Sequence, residues 1–194
     1  MANKIMNLIP NGVIIQGLNA PTDFMTKVKY SGVNAYYHNP LLQIKDSDCK
    51  SISEEAFHKL LDDGCYQILE FISDKDLFIR YVNLCKKHNV PIRALFIESE
   101  YAFEHWTEDK PACKFIGYEY CEIPFDSQII TDFSWYTPLH CFLNKLNSYG
   151  LFDSIDEAKA FKKKYDEEFD KGNIGDGEMD TFICRVSEID LTLL

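Results

Sequence analysis

No run of about eighteen apolar residues occurs in the 194-residue chain, so no segment reads as a membrane-spanning helix. The seven cysteines (Cys49, Cys65, Cys85, Cys113, Cys121, Cys141, Cys184) are odd in number, widely scattered and never spaced C-x-x-C. That pattern speaks against both a disulfide framework and a zinc finger or ribbon, and leaves most of them as small buried hydrophobes. G-x-G-x-x-G, G-x-x-x-x-G-K-[ST], H-E-x-x-H and G-x-S-x-G are all missing, which removes support for dinucleotide, P-loop, zinc-peptidase and serine-hydrolase chemistry. Basic charge is scarce as well. Twenty Lys and Arg stand against thirty-one Asp and Glu, a formal charge of −11 that repels nucleic acid and anionic lipid at neutral pH.

What is present describes a globular chain: 46% hydrophobic and 14% aromatic residues supply a sizeable core. The opening MANKIMNLIPNGVIIQG offers one Lys and a short apolar run broken by Pro10 and Asn11, unlike a signal peptide, and the expected location is cytoplasmic. Charge is uneven. Residues 1–50 hold five Lys against three Asp, so the remainder carries the whole acidic excess. No repeat or Pro/Gly/Ser linker divides the chain, and one domain over residues 1–194 is expected.

Ser51-Ile-Ser-Glu54 and Ser154-Ile-Asp-Glu157 have the capping-box spacing, and each precedes an amphipathic run. The first run ends at Gly64; the second buries Ile155, Ala158, Phe161, Tyr165 and Phe169, with Lys162–Lys164 and Asp166–Glu168 largely on its outer face. Thr137 and Pro138 open a further expected helix to Tyr149, with Leu139, Phe142, Leu143 and Leu146 inward. Tyr66–Ile72, Asp74–His88 and Val90–Ile97 read as strand, helix and strand, a βαβ unit. Alternation marks further strands at Lys114–Ile123 and Met179–Leu191, and weaker ones at Val13–Leu18 and Val28–Tyr37. The expected fold is α/β, with α+β as the alternative: a mixed sheet carrying a βαβ unit and three to four helices.

The tract from Glu98 to Asp109 places acidic side chains among aromatic ones: Glu98, Glu100, Tyr101, Phe103, Glu104, Trp106, Glu108 and Asp109. Aromatic anchors ringed by charge suit a protein-binding surface, because the rings supply contact area and the charges supply steering. Two other readings attach to the same residues. Phe103 and Trp106 could pin the loop to the core, and Glu98 with Glu100, at the end of a strand, could form the carboxylate pair of a hydrolase. A Cys–His pair is the other catalytic option, although adjacent His140 and Cys141 would point about 100° apart on a helix. The tract Asp166–Asp170 sets negative charge at a helix C-terminus, offset by lysines one turn earlier. The glycine cluster at 172–177 fits neither a phosphate loop nor a calcium loop: counted from Asp176, position six is Thr181 and position twelve is Ser187. No catalytic residue, metal or cofactor is assigned.

Gly117-Tyr-Glu-Tyr-Cys121, Asp126–Asp132 and Gly150-Leu-Phe-Asp-Ser-Ile-Asp-Glu-Ala158 resemble stretches of small acidic bacterial immunity proteins, the antidotes to polymorphic or contact-dependent toxins. The resemblance implies a non-catalytic inhibitor that binds one cognate toxin tightly. A basic toxin domain would be the protein partner, with no nucleic acid and no membrane involved.

Overall fold

The computed structural model describes residues 8–17, 71–101, 105–122, 126–127, 137–174 and 181–194. The expected helix after Ser51, the strand Val28–Tyr37 and most of Tyr66–Ile72 lie outside the described residues, as do Phe103 and Glu104.

In chain order the elements are β1 (Ile9–Gly17), β2 (Phe71–Ile72), α1 (Lys75–Lys87), β3 (Ile92–Ser99), β4 (Cys113–Glu122), β5 (Asp126–Ser127), a 3-10 helix (Thr137–Lys145), α2 (Ile155–Asp170), β6 (Thr181–Ile189) and a closing 3-10 turn (Leu191–Leu193). The strands form one sheet in the order β2-β1-β3-β6-β4-β5. Sheet and helices thus combine in the mixed α and β architecture the sequence pattern implies. The βαβ unit is present as β2–α1–β3, but its two strands are not neighbours. Strand β1 lies between them and pairs antiparallel with each, so β2 and β3 run parallel without touching. Instead of a sheet mixing parallel and antiparallel neighbours, every pairing among the described residues is antiparallel.

Local chemistry explains the helix ends. Asp74 caps α1 by accepting from the Leu77 amide at 2.8 Å, and the chain leaves the helix through Asn89 at φ 55°, a conformation Asn tolerates. Ser154 caps α2 by accepting from the Glu157 amide, while its hydroxyl donates to the Glu157 carboxylate at 3.1 Å. The expected helix to Tyr149 is a 3-10 helix that stops at Lys145. Its buried residues Leu139 and Phe142 are three apart, the spacing a 3-10 helix eclipses, whereas Leu143, expected inward, is 40% exposed. Leu146 then bridges back to Phe152.

Strand alternation assigns the core to two faces. On one face Val13, Ile15, Ala94 and Phe96 pack with the α1 residues Leu77, Phe78, Tyr81, Val82 and Cys85. Further along, Tyr120 and Ile183 pack with Phe161 and Tyr165 of α2 and with Leu139, Phe142 and Phe152. The opposite face holds Ile14, Leu95, Ile97, Ile116, Cys121, Phe182, Cys184 and Val186, with Leu151 and Phe71.

Candidate functional site

The acidic aromatic tract begins at the end of β3, and register decides what each of its residues can do. Glu98 lies abreast of Arg185 on β6, which lies abreast of Tyr118 on β4, so the three share a face. The Glu98 side chain is 12% exposed, and its Oε2 accepts from Lys110 Nζ at 2.6 Å and from Arg185 Nη1 at 3.0 Å. Arg185 also covers the Phe115 ring at 5.1 Å, and Lys110 covers Phe96 at 5.3 Å. Two cations therefore occupy the Glu98 carboxylate, which fastens the far end of the tract to the sheet instead of facing a partner or substrate. Glu100, two residues on, is exposed. The carboxylate pair of a hydrolase is poorly served by this arrangement, because one member is engaged in the fold and the other is open to solvent.

Tyr101 is 38% exposed, and its ring stacks on Phe182 at 5.8 Å. Its carbonyl accepts from Asn11 Nδ2 and from Ser99 Oγ, each at 2.9 Å, while Ser99 Oγ lies 2.8 Å from Asn11 Oδ1. These bonds clamp the turn out of β3 to the start of β1. Trp106 settles the other question the sequence left open. It is 3% exposed, its ring edge-on to Phe96 at 5.6 Å and to Phe78 at 6.4 Å. The Trp106 amide donates to the Pro10 carbonyl, and Nε1 donates to the Asp109 carbonyl at 3.3 Å, closing the turn 106–109. Trp106 is a core residue that pins the loop, not an exposed anchor for a partner.

The exposed members that remain are Glu100, Tyr101, Glu108 and Asp109. Glu108 meets Lys75 at 3.9 Å across a recess of about 290 Å³ lined by Ser73, Asp74, Lys75, Asp76, Thr107 and Glu108. Three carboxylates and one ammonium give the recess a net negative lining. Asp74 and Asp76 were not singled out from sequence, because their proximity to Glu108 depends on the Trp106 pin bringing the loop to the start of α1.

A second polar cluster was not foreseen. Tyr120 Oη lies 2.6 Å from Thr181 Oγ1 and 3.0 Å from Asp166 Oδ1, and Lys162 Nζ reaches Asp166, Tyr120 and Thr181. Burial pushes the Tyr120 phenol well above its ordinary value, opposed by the Thr181 hydrogen bond and reinforced by the Asp166 charge. Tyr120 is accordingly a neutral hydrogen-bonding group, unsuited to act as a base. The expected i,i+4 pairs on α2 are present at Lys162–Asp166, Lys163–Glu167 and Lys164–Glu168. Glu168, however, is 5% exposed and not on an outer face. Lys164, Lys171 and Asn173 bind its two oxygens at 2.7–2.9 Å and fold the chain back over the helix end.

His140 and Cys141 are both exposed, and the Cys141 thiol donates to the Pro138 carbonyl. Among the described residues no group of three His, Cys, Asp or Glu side chains converges as metal ligands, and no helix is long and apolar enough to cross a membrane. Comparison with family models, curated proteins and solved structures returns no match for this chain.

Proposed function

We propose that this protein is a non-catalytic binding protein of the immunity or inhibitor type, which neutralises a basic toxin domain by occupying its active surface. One observation carries the reading: the buried Trp106 holds loop 105–109 on the core, so Glu108 and Asp109 are displayed on backbone that is already ordered, as Glu100 is by the bonds of Asn11 and Ser99 to the Tyr101 carbonyl. A preordered acidic surface loses little conformational entropy when it binds, and its charge speeds encounter with a basic partner. Glu98, Phe103, Glu104 and Trp106 belonged to the surface proposed from sequence. Glu98 and Trp106 support it from below, and Phe103 and Glu104 lie outside the described residues.

The test takes basic toxin domains encoded in reading frames beside this one, purified singly, and measures their activity with and without the chain. One toxin should be inhibited at equimolar ratio, with an association rate that falls as salt rises past a Debye length of about 10 Å. Glu100→Lys with Glu108→Lys should slow association about tenfold or more at low salt, with folding stability changed by no more than about 0.5 kcal/mol. Binding without inhibition would identify an interaction module instead. Inhibition with unaltered kinetics in the double variant would move the site elsewhere.

A further inference from the structure

Cys121 on β4 and Cys184 on β6 are side by side in the sheet's interior, with their sulfurs 3.6 Å apart and neither residue exposed. Register explains the approach. Cys184 stands opposite Glu119, and Cys121 stands opposite Phe182, two residues along each strand, so the cysteines form a diagonal pair on one face. Sulfur atoms at this separation are in van der Waals contact, and closing to a disulfide bond of about 2.05 Å asks for side-chain rotation and a movement of the two strand backbones toward each other. Diagonal positions on paired strands are typically about 7–8 Å apart, beyond the usual disulfide span of about 4.4–6.8 Å, so a bond formed there is strained and readily reduced. The other described cysteines lie elsewhere: Cys85 is buried, Cys113 half-buried and Cys141 exposed.

We infer that Cys121 and Cys184 are a reversible redox pair, reduced in the state described and oxidised to a β4–β6 disulfide by hydrogen peroxide. One thiolate attacks a peroxide oxygen, breaking the O–O bond, and with a proton from solvent gives a sulfenic acid and one water. The second sulfur attacks the sulfenic sulfur, its proton leaves with the hydroxyl group as a second water, and the S–S bond forms. Two electrons pass from the two sulfurs to the peroxide. Because both thiols are buried, the reaction waits on local opening of the sheet and runs slower than oxidation of exposed Cys141.

The consequence follows from what lies between the two residues. They are 63 positions apart, and the enclosed segment carries β5, the 3-10 helix and α2. Its Leu139, Phe142, Phe152, Phe161, Tyr165 and Ile183 pack with Tyr120 as the core beneath α2. The bond would tie both roots of that segment together and restrict its unfolded states.

The experiment treats the reduced full-length chain with hydrogen peroxide, maps disulfides in non-reduced peptides, and records thermal midpoints before oxidation, after it, and after dithiothreitol. The expected result is a Cys121–Cys184 peptide, a midpoint raised by about 5 °C or more, and reversal by the reductant. Cys184→Ala should lose both the peptide and the rise, while Cys141→Ala should keep both. Cys121 and Cys184 recovered as thiols from folded wild-type protein whose Cys141 has been oxidised would overturn the inference, and this reading needs no variant to fold. A linked peptide with no change in midpoint would overturn the claim that the bond locks the enclosed segment.

Discussion

Trp106 packs in T-shaped contact with the rings of Phe78 and Phe96 and ties the 105–109 loop to Pro10, so its removal acts on stability before anything else. Trp106→Ala is expected to cost about 3–5 kcal/mol in urea unfolding, the range for deleting a buried aromatic side chain. A loss within about 0.5 kcal/mol would place the ring at the surface. Tyr120 gives a prediction with a pH axis. Its phenol is held protonated in the folded chain, while in the unfolded chain it titrates near the ordinary value of 10.0. The folded state therefore binds more protons above that pH, and stability is expected to be whole below pH 10.0 and to fall as pH rises beyond it. Tyr120→Phe should cost about 1 kcal/mol at neutral pH through its lost hydrogen bonds and should flatten the alkaline decline. An alkaline slope equal to that of the unaltered chain would show that other groups cause it.

At the scale of elements, β4 is bent by a bulge between Phe115 and Gly117, which sends Ile116 to the face it shares with Val186 and Leu151. Asn147 holds the bulge, its Nδ2 donating to the Ile116 carbonyl at 2.8 Å, and its Oδ1 accepts the amides of Tyr149 and Leu151. Gly117 is required there. It has φ +150°, and an added Cβ would come within 2.5 Å of the Leu151 Cβ and 3.0 Å of the Phe152 carbonyl oxygen. Gly117→Ala is expected to lose about 2–4 kcal/mol, from backbone strain and from displacement of the Leu151–Phe152 segment. Equal denaturation midpoints for the two proteins would show that the bulge can relax. The same bulge bears on the site, because β4 lies between the Phe152 segment and β6, whose Arg185 holds Glu98.

For the whole molecule, one sheet supports the helices, with β3 and β6 at its centre, and the three core clusters share its strands. Folding as one unit is the expected consequence. Limited proteolysis should clip first within Asn173–Asp180, a glycine-rich acidic stretch that lies mostly outside the described residues, and should leave no pair of fragments that fold separately. Two fragments that each refold with their own cooperative transition would contradict it. Thermal midpoints should also agree with and without a chelator, since the cysteines have no metal-ligand spacing in the sequence. A drop of several degrees would reveal a site.

Local rules made much of the described architecture legible in the sequence. Ser154 as a cap, the 3.6-residue stripes of α1 and α2, and the alternation of β3, β4 and β6 each depend on residues a few positions apart. So do the i,i+4 lysine–carboxylate pairs of α2. Net charge and the missing motifs likewise needed no structure, and they bounded the chemistry. Contacts between distant segments belong to the tertiary structure alone. A strand's periodicity does not say which strand will lie beside it, so the insertion of β1 between β2 and β3 could not be read from the βαβ pattern. Glu98 and Trp106 had the composition of a binding surface, and contacts with Lys110 and Arg185 and with Phe96 and Phe78, made across the fold, decided that they face inward. The approach of Cys121 to Cys184 is the same case: it depends on the β4–β6 register, which long-range packing sets and no local pattern encodes.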